Sequence, residues 1–111
     1  MSRNVERRLR FLCEQIGEPE RGLKTRLSIE YGRSSSVRSA YLVAADYYDP
    51  GTTCVVLCLG VLDNVDQWVQ ISARSFAHLF GRDQFLDIIV LDDEQEQMVA
   101  AVCKPFYRAT I

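Results

Sequence analysis

The chain of 111 residues is long enough for one domain that buries a hydrophobic core without disulfides or metals. A hydrophobic content of 48% and a charged content of 25% are typical of globular proteins, and a net charge of −2 does not indicate binding to nucleic acid or to an anionic membrane. The sequence contains no apolar run of about 18 residues that would predict a transmembrane helix, and its first residues lack the apolar core of a signal peptide. We therefore expect a single cytoplasmic domain over residues 1–111, with four reduced cysteines.

Charge is distributed unevenly along the chain. Residues 1–40 contain nine Arg/Lys and five Glu, a net of 9 − 5 = +4, whereas residues 41–111 contain four Arg/Lys and ten Asp/Glu, a net of 4 − 10 = −6. Such asymmetry favours a molecule with distinct faces, which suits a protein partner better than a polyanion. The alternative is that the two halves of the sequence do not map to faces.

The first third of the chain predicts one helix after a segment of uncertain structure. The apolar residues of Val5 to Ile16 fit either an alternating strand or one helical face, so the structure of residues 1–15 stays open. After a proline that suits a first helical turn, Leu23, Leu27 and Tyr31 recur at helical spacing. Gly32 and the serines after it end this helix.

The middle of the chain predicts a β-hairpin. Arg38 to Tyr48 alternates between two apolar faces, and Asp49 to Thr52 has the proline and glycine of a tight turn. Cys54 to Leu62 is an almost unbroken apolar run, which is typical of a central strand that is covered on both faces.

The remaining sequence predicts a helix, a strand and a last helix. Asp63 or Asn64 suits an N-cap, and Gly81 ends the helix that follows. Its predicted apolar stripe is Val65, Trp68, Val69, Ala73, Phe76 and Phe80. Phe85 to Leu91 reads as a strand. Asp93 and Glu96 resemble a capping pair for the last helix, which contributes Met98, Val99, Val102 and Cys103.

If the first segment is a strand, the order is β-α-β-β-α-β plus a terminal helix. This order is typical of a single α+β domain with a mainly antiparallel sheet and two helices on one face. The arrangement that the order suggests is ferredoxin-like.

Cysteine and histidine spacing does not predict a metal site. Cys54 and Cys58 point to the same face of a strand, but four residues of strand separate their sulfurs by about 13 Å, too far for one tetrahedral zinc ion. The chain has no Cys-x-x-Cys motif and one histidine, His78, which lies near a helix end where a surface histidine is favourable. We therefore predict no metal, no cofactor and no catalytic residue, and hence no enzyme.

Two groups of side chains are candidates for contact with a protein partner. The acids Asp92, Asp93, Glu94 and Glu96 could bind a cation, but they lack the spacing of a calcium loop and suit a helix start better; they could also form an acidic patch. Tyr47 and Tyr48 follow each other at the tip of the hairpin, so one of them must face away from the core. Exposed tyrosine is frequent among the residues that dominate protein interfaces.

Four motifs occur in an order that resembles a known family. They are Gly17 to Pro19 before a helix, Val37 to Leu42 opening a strand, Leu86 to Asp92, and the closing Lys104 to Tyr107. Over about Ile16 to Tyr107 the chain resembles the C-terminal domain of the enhanced serine sensitivity protein family, SseB. The resemblance implies a bacterial cytoplasmic protein, and it implies no biochemical activity, catalytic residue or cofactor.

These observations favour a non-catalytic protein-binding module, for example an immunity-type or adaptor protein. Tyr47, Tyr48 and the four acids would form its contact surface. The alternative is a protein that senses or metabolises a small molecule, such as an amino acid, at a dimer interface. That alternative requires a concave polar pocket with His78, Arg74 or the loop Ser34 to Ser36. A homodimer formed through the hairpin edge is compatible with both functions.

Overall fold

The computed structural model describes residues 10–46, 54–81 and 86–109. Its elements follow in the order β1 (Arg10–Glu14), α1 (Glu18–Tyr31), β2 (Val37–Asp46), β3 (Cys54–Val61), α2 (Val65–Phe80), β4 (Asp87–Val90), α3 (Asp93–Ala100) and β5 (Tyr107–Arg108). The predicted α+β class and the order β-α-β-β-α-β plus terminal helix are confirmed, and the ambiguous first segment contains a strand. Within the described ranges, every helix is too short or too polar to cross a membrane.

The sheet is mixed, with the strand order β1-β2-β3-β4. The pairs β1/β2 and β2/β3 are antiparallel, whereas β3/β4 is parallel. The short β5 pairs with Ser39 and Ala40 of β2, beside the stretch from Val43 to Asp46 that pairs with β1. Strands β1 and β5 therefore share one edge of β2.

The ferredoxin-like arrangement suggested by the element order is wrong. In a split β-α-β unit another strand lies between the two strands that a helix connects. Here β1 and β2, joined by α1, are direct neighbours, and so are β3 and β4, joined by α2. The direct pairing of β1 with β2 and of β3 with β4 decides this order, and the local sequence pattern does not encode it.

Helices α1 and α2 cover one face of the sheet, as predicted. Leu23, Leu27 and Tyr31 of α1 and Trp68 of α2 are buried together with Ala40, Leu42, Leu57 and Leu59 from the sheet. The predicted face of α1 is therefore confirmed. The closing aromatic residues Phe106 and Tyr107 pack against the same cluster, and Tyr107 donates a hydrogen bond of 3.3 Å to the carbonyl of Tyr31.

The predicted apolar stripe of α2 is correct only in part. Trp68 is buried and Phe76 and Phe80 pack against the core, but Val65 and Ala73 are exposed. Two serines, Ser72 and Ser75, occupy buried positions on the inward face. Ser72 is accommodated because its hydroxyl bonds to the Trp68 carbonyl at 2.8 Å and to the Tyr31 hydroxyl at 2.6 Å. Both polar groups are thereby satisfied inside the core.

The short helix α3 packs against the opposite face of the sheet. Val99 and Cys103 are buried against Tyr41, Val43, Val56 and Cys58. Strand β3 thus has side chains in both core clusters, which confirms the prediction of a central strand covered on both faces. The protein has three layers: α1 with α2, the sheet, and α3. Cys54 and Cys58 both contact the α3 side, as their spacing predicts.

Candidate functional site

The start of α3 is fixed by a capping box. Asp92 has an extended backbone, and its Oδ1 accepts a hydrogen bond of 2.7 Å from the Gln95 amide. In return, Gln95 Oε1 accepts one of 3.0 Å from the Asp92 amide. The predicted capping pair of Asp93 and Glu96 is therefore wrong by one residue. The sequence offers acids at both positions, and only the backbone conformation shows which of them precedes the helix.

Glu96 lies at the centre of a hydrogen-bonded group that joins α3 to β2. Its Oε1 accepts a bond of 2.6 Å from Arg38 Nη2, and its Oε2 accepts bonds of 2.7 Å from Ser39 Oγ and 3.0 Å from the Tyr41 hydroxyl. Arg108 Nη2 in turn donates to the Tyr41 hydroxyl oxygen at 3.4 Å. We call Glu96, Arg38, Ser39 and Tyr41 the Glu96 network.

The electrostatics of this network favour an ionised Glu96. Burial alone would raise the pKa of the Glu96 carboxyl, but hydrogen bonds from Ser39, Arg38 and Tyr41, together with the charge of Arg38, outweigh burial and lower it. Burial and the bond to the Glu96 carboxylate raise the pKa of the Tyr41 hydroxyl. Tyr41 is therefore a neutral donor at physiological pH, and the network ties α3 to β2.

The four predicted contact acids thus have different environments. The Glu96 side chain is only 16% exposed, and its oxygens are already hydrogen-bonded to residues of β2. The Asp93 side chain is 95% exposed, and its Oδ1 lies 3.9 Å from Arg38 Nη2. Asp92 caps α3, and Glu94 projects from its first turn into solvent. Tyr47 and Tyr48, the other predicted contact residues, lie outside the described residues.

The outer face of α3 combines negative charge with exposed apolar side chains. Glu94 and Met98 are four residues apart and therefore share one face of the helix. Met98 is 51% exposed, and Val102, in the turn that follows, is 37% exposed. We call Glu94, Met98 and Val102 the α3 face. The apolar stripe of the last helix is therefore divided, with Val99 and Cys103 turned inward and Met98 and Val102 outward.

On the other side of the sheet, α1 and α2 enclose a charged groove. Its cavity of about 290 Å³ is lined by Arg26, Glu30, Ile71, Arg74, Ser75 and His78. The structure thus places Arg74 and His78, both expected in a polar pocket, in one cavity. Sequence reasoning did not identify Arg26 and Glu30, since only the packing of α1 against α2 brings them to this position.

The serine loop belongs to a different depression. This depression of about 460 Å³ is lined by Ser34, Ser35 and the preceding Arg33 on one side and by residues around β5, including Arg108, on the other. The Ser34 hydroxyl accepts a hydrogen bond of 3.1 Å from the Ser36 amide and lies 3.1 Å from the Ser36 hydroxyl, to which it donates. Because the Ser34 hydroxyl proton and the Ser36 amide are used within the loop, these two donors are not available to an anion.

In the part of the chain that the structure describes, no group of three or more His, Cys, Asp or Glu side chains could hold a metal ion. The four cysteines are free thiols. Burial raises the pKa of the Cys58 thiol to about 12 and that of Cys103 to about 11. At neutral pH both behave as small apolar residues.

Comparison of the chain with protein-family models, with curated proteins and with solved structures found no match. The resemblance to the C-terminal domain of the SseB family therefore stays a prediction from the sequence motifs.

Proposed function

We propose that this domain is a non-catalytic protein-binding module and that the α3 face is part of its contact surface. The observation that supports this proposal is the exposure of Met98, at 51%, beside the exposed carboxylate of Glu94. Apolar side chains at the centre of a charged surface are typical of protein interfaces. Methionine is especially suited because its flexible thioether adapts to a partner surface.

The α3 face is held rigidly for a helix of this length. The capping box fixes its first turn, the Glu96 network ties it to β2, and Val99 is buried completely. A contact surface that is ordered before binding loses less conformational entropy when the partner arrives. These interactions therefore support binding without a large rearrangement of α3.

The charge of the α3 face defines the chemistry of the partner. Asp93 and Glu94 are exposed at the positive end of α3, and they favour a partner with a basic surface around an apolar depression. An immunity-type or adaptor protein that covers the basic groove of a toxin or enzyme would have this complementarity. In this proposal Tyr47 or Tyr48 adds an aromatic anchor, and the cytoplasm is the compartment where the partner is met.

The experiment is an affinity capture from lysate of the native cell, followed by titration of the purified partner. The double variant Glu94→Lys/Met98→Glu should weaken binding at least about tenfold, because it reverses the charge and removes the apolar contact. Asp66→Lys is the matched control, since Asp66 is also an exposed acid in the first turn of a helix. Affinity for the unaltered domain should fall as salt is added.

Equal loss of binding in the test and control variants would contradict the proposed surface. Recovery of the protein alone, with a dimer mass by light scattering, would replace the proposal by self-association. Tyr47→Ala and Tyr48→Ala, made separately, test the anchor: one of them should weaken binding, and two unchanged affinities would remove these tyrosines from the surface.

A further inference from the structure

The groove between α1 and α2 contains opposite charges that do not pair with one another. Arg26, Arg74 and Glu30 line the same cavity. Nevertheless, none of the ion pairs formed among residues 10–46, 54–81 and 86–109 includes any of the three. Charged groups that line a cavity without partners of their own are available to a ligand.

Arg26 provides the second observation. Its Nε is buried from solvent and has no hydrogen-bond partner, and within the described residues it is the one buried side-chain nitrogen or oxygen in this condition. Buried donors in native proteins nearly always have an acceptor, so an orphaned guanidinium nitrogen requires an explanation. Because Arg26 lines the cavity, a rotation of its side chain would bring this nitrogen to a ligand oxygen, which would supply the missing acceptor.

We propose that this groove binds a small molecule with an anionic oxygen group, a carboxylate or a phosphate. Arg26 and Arg74 would contact the anion, because a guanidinium presents several donors in a planar fork that matches these groups. Glu30 would accept a hydrogen bond from a donor group elsewhere on the same ligand. The cavity of about 290 Å³ is at the lower end of the range for ligand pockets, which suits a small metabolite.

Two neighbouring depressions fit an anion less well. The outer groove of α1 also includes Arg26, but it is wide and open, and its Arg21 is already 3.4 Å from Glu18. The serine-loop depression has two arginines, but its Ser34 hydroxyl is used within the loop and its Arg108 bonds to Tyr41. The α1–α2 groove differs from both because it combines two arginines and a glutamate without ion pairs, and one of these arginines has the orphaned donor.

The test is a titration of the ¹⁵N-labelled protein, followed by amide chemical shifts, with acetate, inorganic phosphate and glycine at matched ionic strength. We expect saturable shifts at millimolar concentration that are confined to the amides around Arg26 to Glu30 and Ile71 to His78. Saturation by phosphate or by acetate identifies which anion the groove prefers. A tighter affinity for glycine than for acetate, lost in Glu30→Gln, would support the role of Glu30.

Arg26→Gln and Arg74→Gln should each lower the affinity for the preferred anion by about tenfold or more. Arg33→Gln removes the same charge outside the groove and should leave the affinity unchanged, while well-dispersed spectra show that each variant is folded. Shifts that do not saturate, or that persist equally in Arg26→Gln, would overturn the proposal. The site lies on the opposite face of the sheet from α3, so Glu94→Lys should not alter it, and the two proposals fail separately.

Discussion

The substitution Glu96→Gln measures how much the Glu96 network contributes to stability. Glutamine keeps the shape of the side chain but replaces the charged carboxylate, whose oxygens accept three hydrogen bonds, by a neutral amide. A bond to a charged group contributes about 1.5–3 kcal/mol and a neutral bond about 1 kcal/mol, and the share of Arg38 is reduced because its side chain is 41% exposed. We therefore expect the free energy of unfolding to fall by about 2 kcal/mol, which lowers Tm by roughly 8 °C in a domain of this size.

The effect should depend on pH with a defined sign. The pKa of Glu96 is lower in the folded protein than its ordinary value of 4.5. A group with a lowered folded pKa stabilises the fold above its unfolded pKa, and this contribution disappears as pH falls through the folded value. The stability difference between the unaltered protein and Glu96→Gln should thus be complete above about pH 5 and shrink progressively at more acidic pH.

Urea unfolding at several pH values, followed by circular dichroism, provides the assay. Glu94→Gln is the matched control, because it removes an exposed charge from the same turn of α3 and should change stability by less than about 0.5 kcal/mol. Equal unfolding midpoints for Glu96→Gln and the unaltered protein at pH 7 would refute the reasoning. A difference that stays constant down to pH 3 would show that the hydrogen bonds do not depend on the charge.

Three further substitutions test the packing and a buried hydrogen bond. Gly60→Ala places a Cβ 2.7 Å from the Ser39 hydroxyl and should lower the free energy of unfolding by about 1–3 kcal/mol, whereas Gly22→Ala on α1 meets nothing within 4 Å and should raise it by about 0.5–1 kcal/mol. A thermal melt in which both variants shift in the same direction would contradict this. Tyr31→Phe removes the 2.6 Å bond to Ser72 and should lower the free energy of unfolding by about 1 kcal/mol; an equal loss in a Ser72→Ala background would show that this bond contributes nothing.

The sequence predicts the elements whose apolar pattern is locally complete. Helix α1 has buried residues at regular four-residue spacing, and β2 and β3 are apolar on both faces, so their pattern alone determines their structure. The sequence leaves β1 open because the apolar residues of this short segment fit the spacing of a strand and also that of a helix. Its pairing with β2, from Arg10 with Asp46 to Glu14 with Val43, makes it a strand. The inward face of α2 was missed in part because Ser72 and Ser75 are polar. One signal lies far away in the sequence: the Tyr31 hydroxyl on α1 must find a partner when its ring is buried.

The candidate sites show the same difference between what a local pattern predicts and what only distant contacts determine. Arg74 and His78 are four residues apart on one helix, so the sequence predicts that they lie together, whereas Arg26 and Glu30 reach the groove only through packing of α1 on α2. In the acidic segment, the loss of Glu96 from the predicted patch depends on Arg38, 58 residues earlier in the chain. No local pattern could separate Glu96 from Glu94.

The uneven charge of the sequence has a specific structural consequence. Basic residues from the first part of the chain pair with acids from the second part, as Arg10 does with Asp46 and Arg38 with Glu96. These pairs neutralise part of the charge asymmetry within the molecule, so the asymmetry is not by itself an argument for a partner. The charges relevant to binding are those that folding leaves without an ion pair. Among them are Glu94 on the α3 side and Arg26 and Arg74 in the α1–α2 groove, so each proposed surface has charges that are available to a ligand.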